Sequence, residues 1–113
     1  MPGLVALALL AGCNDEQKPA GREAAHGAAV IAETGCGACH EIPGIDGARG
    51  RIGPSLAHIG TRTIVAGILP NTQANLVDWV RAPQSIEPGN VMPDMELSEH
   101  DARDIVAYLS TLR

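Results

Sequence analysis

Apolar residues along this chain fall into one unbroken run near the N-terminus and a few stretches with helical spacing, separated by segments rich in glycine and proline. Ala28, Ile31 and Ala32 recur at i, i+3 and i+4. They predict a helix from Ala24 to Glu33, stopped at Thr34-Gly35 by the glycine. Leu76, Trp79 and Val80 share one face of a second helix over Thr72–Arg81, with Asn71 or Thr72 as its cap and Ala82-Pro83 as its terminator. A shorter helix is expected at Thr63–Leu69. The last helix has the strongest signal: Ser98 is a suitable N-cap, and Glu99 and Asp101 favour the positive helix end. Ala102, Ile105, Val106, Leu109 and Leu112 form its buried stripe. Nothing alternates with a period of two. The pattern predicts one all-α domain over residues 26–113, of about four or five short helices, with a long aperiodic loop between His40 and Thr61.

Composition adds a requirement. At 113 residues there is room for one domain, yet the chain has no Phe, one Trp (Trp79) and one Tyr (Tyr108). Aromatic side chains normally supply much of a small core's buried area, so this core needs another large apolar body. Thirteen glycines and eight prolines suit short helices joined by tight loops that wrap such a body. A loop as long as 40–61 is uncommon unless functional, and enclosing a cofactor edge is a sufficient reason for it. The net charge of −5, with basic residues scattered, gives neither a nucleic-acid footprint nor a polybasic membrane patch.

Cys36-Gly37-Ala38-Cys39-His40 identifies the cofactor. C-x-x-C-H is the signature of covalent c-type haem attachment. Two thiols at this spacing can each add to one vinyl group of the same porphyrin, and the following histidine is then held as the proximal iron ligand. A structural zinc site would need four ligands, usually two such pairs, and the chain has three cysteines. A thioredoxin-like pair would need a βαβ setting, which the pattern lacks. The opposite side of the iron could take a methionine, a histidine or nothing. Met92 and Met95 lie in the turn-rich segment Pro88-Gly89-Asn90-Val91-Met92-Pro93-Asp94-Met95. A thioether there would raise the potential. His26, His58 and His100 read as surface histidines.

Leu4 to Leu10 is too short to span a bilayer and fits the apolar part of a signal peptide, although Met1-Pro2-Gly3 carries no basic residue. Leu10-Ala11-Gly12-Cys13 resembles a bacterial lipobox. That resemblance implies a signal peptide over residues 1–12, lipid attachment to Cys13 and a flexible tether over residues 13–25. About two acyl chains suffice for stable anchoring.

The C-G-A-C-H motif, then Ile52-Gly53-Pro54-Ser55-Leu56, then Pro88-Gly89 with Met92-Pro93, resembles class I cytochromes c. The resemblance is closest to the cytochrome c domain of bacterial haem–copper oxidase subunit II. It also includes Gly27 to Ile31, His58 to Arg62 and Asn75 to Gln84, and it covers about Gly27 to Leu112. It implies the class I cytochrome c fold, with helices and loops around one covalent haem c. It implies thioethers from Cys36 and Cys39, His40 and Met92 as axial ligands, and Met95 only as the alternative. The Pro54 carbonyl would accept the other N–H of His40. Leu56 would pack on the haem, with Arg62 and Trp79 near it and Arg62 a candidate propionate partner.

With both axial positions filled, one-electron transfer is expected rather than catalysis. The expected partners are redox proteins such as an oxidase, a quinol–cytochrome c oxidoreductase or a dehydrogenase, and the membrane through the lipid. The net negative charge favours a partner with a basic docking patch, with Arg49 and Arg51 as a local exception. The expected location is the periplasmic side of a bacterial membrane, lipid-anchored, or alternatively the soluble periplasm. An oxidase subunit II carries transmembrane helices and a copper-binding domain that this sequence does not include, so a stand-alone domain is expected. The alternatives are a haem-bearing electron-transfer subunit of a periplasmic dehydrogenase or terminal oxidase, and a haem sensor with a labile sixth ligand.

Overall fold

The computed structural model describes residues 19–113, together with Gly3. The apolar run, the lipobox with Cys13 and the first part of the expected tether lie outside the described residues. Four helices follow in order: α1 (Pro19–Thr34), α2 (Gln73–Arg81), α3 (Pro83–Ile86) and α4 (Glu99–Leu109). Two short 3-10 turns, Cys36–Ala38 and Ile59–Thr61, lie between α1 and α2. None of the described helices is long and apolar enough to cross a membrane. Among the described residues the regular structure is mostly helical, as the periodicity predicts.

Helix α1 starts earlier than expected and buries a different face. Pro19 presets the backbone angle of a first helical residue, and Ala20, Arg22, Glu23, Ala24 and Ala25 are mostly good helix formers. Residues 21–23 and 25 are exposed, so this part of the helix has no reason to show apolar periodicity. Residues 19–25, read from sequence as part of a tether, are therefore helical. The buried positions are Gly27, Val30 and Ile31; Ala28 is half-buried and Ala32 exposed. The helix ends at Gly35, whose φ of 78° lies in the left-handed region.

The expected helix over Thr63–Leu69 is a hairpin instead. Strands β1 (Ile64–Val65) and β2 (Leu69–Pro70) pair antiparallel, Val65 opposite Leu69. Ala66 and Gly67 between them have φ of 55° and 73°, the sign pattern of a type I′ turn. The Asn71 amide donates to the Ile59 and Arg62 carbonyls at 2.9 and 2.8 Å, fastening the hairpin to the preceding 3-10 turn.

Both longer C-terminal helices are capped as anticipated. The Thr72 and Ser98 hydroxyls accept from the N–H groups of Asn75 and Asp101 at 3.1 and 3.0 Å. Pro83 does end α2, and it also opens the one-turn α3 as its first residue. Ala102, Ile105, Val106 and Leu109 are buried on α4 as the stripe predicts, whereas Leu112 is half-buried beyond the helix. These residues join Val30, Ile31, Ile42, Leu76, Trp79 and Val80 in one core.

Helices α1 and α4 meet at Gly27. A Cβ there would overlap the Asp104 carbonyl and lie 2.8 Å from the Ile105 nitrogen. Backbone therefore meets backbone, and no side chain can rotate out of the way. Gly27→Ala tests this, because two effects oppose each other. Helix propensity favours alanine by about 1 kcal/mol, and overpacking of a fixed contact costs typically about 1–3 kcal/mol, occasionally more. The expected net result is destabilisation, read as a lower urea midpoint; an unchanged or higher midpoint would mean that the helices separate freely.

Candidate functional site

The site is built by the segment that leaves α1. Gly35 turns the chain, and Cys36–Ala38 forms a single 3-10 turn, so both cysteines and His40 stand on a compact stretch. Cys36 and Cys39 are half-buried free thiols. The Cys36 sulfur lies 3.6 Å from the Thr34 hydroxyl.

The glycine-rich loop then folds back over this turn through backbone hydrogen bonds. Gly50 N–H donates to the Gly37 carbonyl at 3.0 Å, Gly53 N–H to that of Cys39 at 2.7 Å, and Leu56 N–H to that of Glu41 at 2.9 Å. The His40 ring sits within this clamp. Its Nδ1 is 2.7 Å from the Pro54 carbonyl oxygen, which can only accept, so Nδ1 carries the proton. In the neutral ring Nε2 is then the free lone pair. No partner faces Nε2 among the described residues. A Cβ at Gly53 would overlap the ring at Cε1 and lie 2.8 Å from Nδ1, so only glycine leaves room for the imidazole in this seat.

The other expected site residues are distributed as follows. Leu56 and Met92, both half-buried, pack against the core together with Cys36, and Trp79 is a member of that core. Arg62 is half-buried, and its Nη2 donates to the Ser55 carbonyl at 2.5 Å, next to Pro54. Met95 is half-buried, and His58 is exposed without a side-chain partner among the described residues. His26, with its side chain about half exposed, and the largely exposed His100 are engaged with carboxylates of α4. Cys13 lies outside the described residues.

Sequence reasoning assigned no role to Gln84, yet its side chain organises the methionine loop. Its Nε2 donates to the carbonyls of Asn90 and Met92 at 2.5 and 2.8 Å, while its Oε1 accepts from Gly89 N–H at 2.9 Å. Asn90 Oδ1 accepts from Met92 N–H at 2.9 Å. Both backbone polar groups of Met92 are therefore fixed by amide side chains. The available signal was weak: a long amide directly after Ala82-Pro83 and ahead of a turn-rich stretch.

These residues fit a covalent haem. Two free thiols stand at the required spacing, an imidazole is held in one tautomer with Nε2 available, and glycine shapes the space beside the ring. The loops bearing Pro54 and Met92 also carry Ile52 and Val91, large apolar side chains that are 71% and 79% exposed. An apolar cofactor would cover such surface at a gain.

Comparison with known proteins agrees. The cytochrome c family profile matches residues 24–113. Cytochrome c oxidase subunit 2 of Alkalihalophilus pseudofirmus is 38% identical over 98 residues, which cover 86% of this chain and 28% of the relative. The proteins of the same name from Bacillus sp. (strain PS3) and Bacillus subtilis are 35% and 33% identical, covering 74% and 80% of this chain. They are matched over 25% and 26% of their own length, so the chain spans about a quarter of these relatives.

Gln84→Ala removes three hydrogen bonds from one loop without touching the core. The expected cost is about 1–3 kcal/mol, concentrated in residues 87–93. Amide hydrogen exchange reads it directly: the Gly89 amide loses protection while those of α4 keep theirs.

Proposed function

The chain belongs to the cytochrome c family, and from that premise we propose that it is a monohaem electron carrier with His40 and Met92 as its axial ligands. The family's cofactor is covalent haem c, whose iron takes up and releases one electron at a time. Cys36 and Cys39 would hold it through thioethers, and His40 would ligate through Nε2. The Pro54 carbonyl fixes the tautomer and raises the basicity of the ring. The seat of His40 is the observation that carries this reading: a proton locked on Nδ1, a free Nε2, and two thiols on the adjoining turn.

On the other side, Met92 is supported by position and by restraint. Gln84 and Asn90 hold its backbone on both sides, so the backbone that presents the thioether is already ordered. A neutral, soft sulfur favours the reduced metal and so a higher potential. Leu56 and Trp79 would pack near the cofactor and exclude water. The Arg62 guanidinium, spanning to Ser55, keeps further N–H groups for a propionate. A filled coordination sphere suits electron transfer, and contacts with redox partners would be small and transient.

A lipid tether at Cys13 is the further part of the proposal, resting on Leu10-Ala11-Gly12-Cys13. It would hold the domain at the periplasmic side of a membrane, near respiratory partners such as an oxidase. The names of the three relatives favour a second reading, a haem-bearing component of a terminal oxidase. Stable stoichiometric co-purification with an oxidase would select it over a freely exchanging carrier.

Replacing the ligand tests the centre. Met92→Ala is expected to abolish the Met–iron absorption band of the oxidised protein and lower its reduction potential, while Met95→Ala keeps both. Loss of the band in Met95→Ala alone would move the assignment to Met95, and rapid CO binding by the unmutated reduced protein would count for the sensor reading. Mass spectrometry of membrane-extracted protein is expected to show a chain starting at Cys13 that carries one haem and a diacylglycerol group.

A further inference from the structure

Outside the residues assigned to the haem, a second cluster of metal-ligating side chains stands where α1 crosses α4. His26, next to Gly27, brings Nδ1 to 2.6 Å from Asp104 Oδ2. His100, one turn before Asp104 on α4, brings Nε2 to 3.8 Å from the same oxygen. One nitrogen from each histidine and one oxygen of Asp104 lie within 4.8 Å of one another. Asp101 borders the group, with Oδ1 3.7 Å from His100 Nδ1 and 4.0 Å from His26 Nε2.

An ion pair accounts for only half of this arrangement. Asp104 is 5% exposed beside the apolar stripe, and burying a carboxylate is costly unless it is paired. One histidine would meet that need. Two imidazoles with ring centroids 5.6 Å apart repel when both are protonated, whereas two neutral imidazoles sharing a cation with a carboxylate attract it together.

We infer that His26, His100 and Asp104 form a binding site for a divalent transition ion of the zinc class, with the Asp101 carboxylate beside the other nitrogen of each ring, where it can orient them. Imidazole with carboxylate suits such ions, while calcium and magnesium favour all-oxygen sites. Zinc bonds of about 2.0–2.2 Å place tetrahedral ligand atoms about 3.3 Å apart. The group reaches that spacing by modest motion: His26 and Asp104 open from 2.6 Å, and His100 closes from 3.8 Å. The His100 side chain is 78% exposed and free to make that rotation.

The surroundings favour a cation. A cleft of about 680 Å³ borders the site and is lined by Glu23, Asp78, Glu99 and Asp104. Its basic residue, Arg103, and Glu99 offset each other as an ion pair at 2.7 Å, and Glu23, Asp78 and Asp104 leave the cleft net acidic. A cleft of net negative charge concentrates cations. The bound ion would join α1 to α4 at their tightest contact and so stabilise the folded chain by mass action.

The test is titration with zinc of the haem-loaded protein carrying Cys13→Ser, in which Cys36, Cys39 and His40 are engaged and no free thiol competes. Calorimetry is expected to show one zinc bound, and the unfolding temperature to rise with zinc but not with magnesium. His26 and Asp104 lie at the helix crossing, so His100→Ala, at an exposed position, is the deciding variant. It should weaken zinc binding by at least about tenfold, while His58→Ala leaves it unchanged. Equal zinc affinity in His100→Ala and the parent, a loss in His58→Ala, or an unfolding temperature indifferent to zinc would each overturn the assignment.

Discussion

The rest of the structure depends on the crossing of α1 and α4 at Gly27. The Asp104 carbonyl occupies the space a side chain would need, so the two helix backbones touch. This contact closes the two ends of the domain on each other and, with Gly35 stopping the helix, sets where the end of α1 lies. Gly35 and the cysteine turn follow directly, so the position of the crossing sets that of the motif. Helix α4 and the residues that follow it hold the far side in turn. Gly60 N–H donates to the Leu112 carbonyl at 2.8 Å, and the Tyr108 hydroxyl to that of Pro43 at 2.5 Å. The loop bearing Pro54 lies between those two anchors. A small core with one Trp and one Tyr has little spare stabilisation, and contacts of high sequence separation like these order a long loop.

The two loops proposed to face the iron are ordered by different means. The Pro54 loop is attached to the Cys-His turn by backbone hydrogen bonds at Gly37, Cys39 and Glu41, and any sequence able to adopt that path would form them. Its particular requirement is glycine at 53, since the acceptor at 54 is a backbone carbonyl that any residue supplies. The Met92 loop has few such bonds and relies on the amides of Gln84 and Asn90. Substitution can therefore loosen the methionine side while the histidine side keeps its geometry, which fits a proximal ligand that must stay and a distal ligand that tunes the potential.

What was legible in the sequence follows from how each feature is encoded. Covalent attachment tolerates one spacing, so Cys36, Cys39 and His40 stand out without any knowledge of the fold. Helix α4 combines a capping serine with a complete apolar stripe, two local signals that agree. The errors arose where local pattern and tertiary contact diverge. Thr63–Leu69 is apolar enough to suggest a helix, but Ala66 and Gly67 both take positive φ, and alanine does not advertise that conformation. In α1, Gly27 is invisible to a search for apolar periodicity because its role is to be small. Asp104 is the converse: a charged residue outside the apolar stripe whose burial is understood only once His26 is found beside it.

Gly27 and Asp104 are best understood together. A close backbone approach leaves no room for a bulky apolar side chain at the crossing, so the contact itself cannot be sealed by packing in the ordinary way. The neighbouring positions carry the cohesion instead. Val30 and Ile31 bury one helical turn further along α1, and His26 reaches across to Asp104 at the crossing. A hydrogen-bonded pair directs the approach of two helices more narrowly than apolar surface does, because it has a preferred length and angle. An error of about one ångström in helix placement would break it, while apolar contacts would adjust by rotamer changes. The polar pair thus supplies register and the apolar stripe supplies most of the burial free energy. Since α1 ends one residue before the motif's preceding glycine, the register set there carries directly into the position of Cys36.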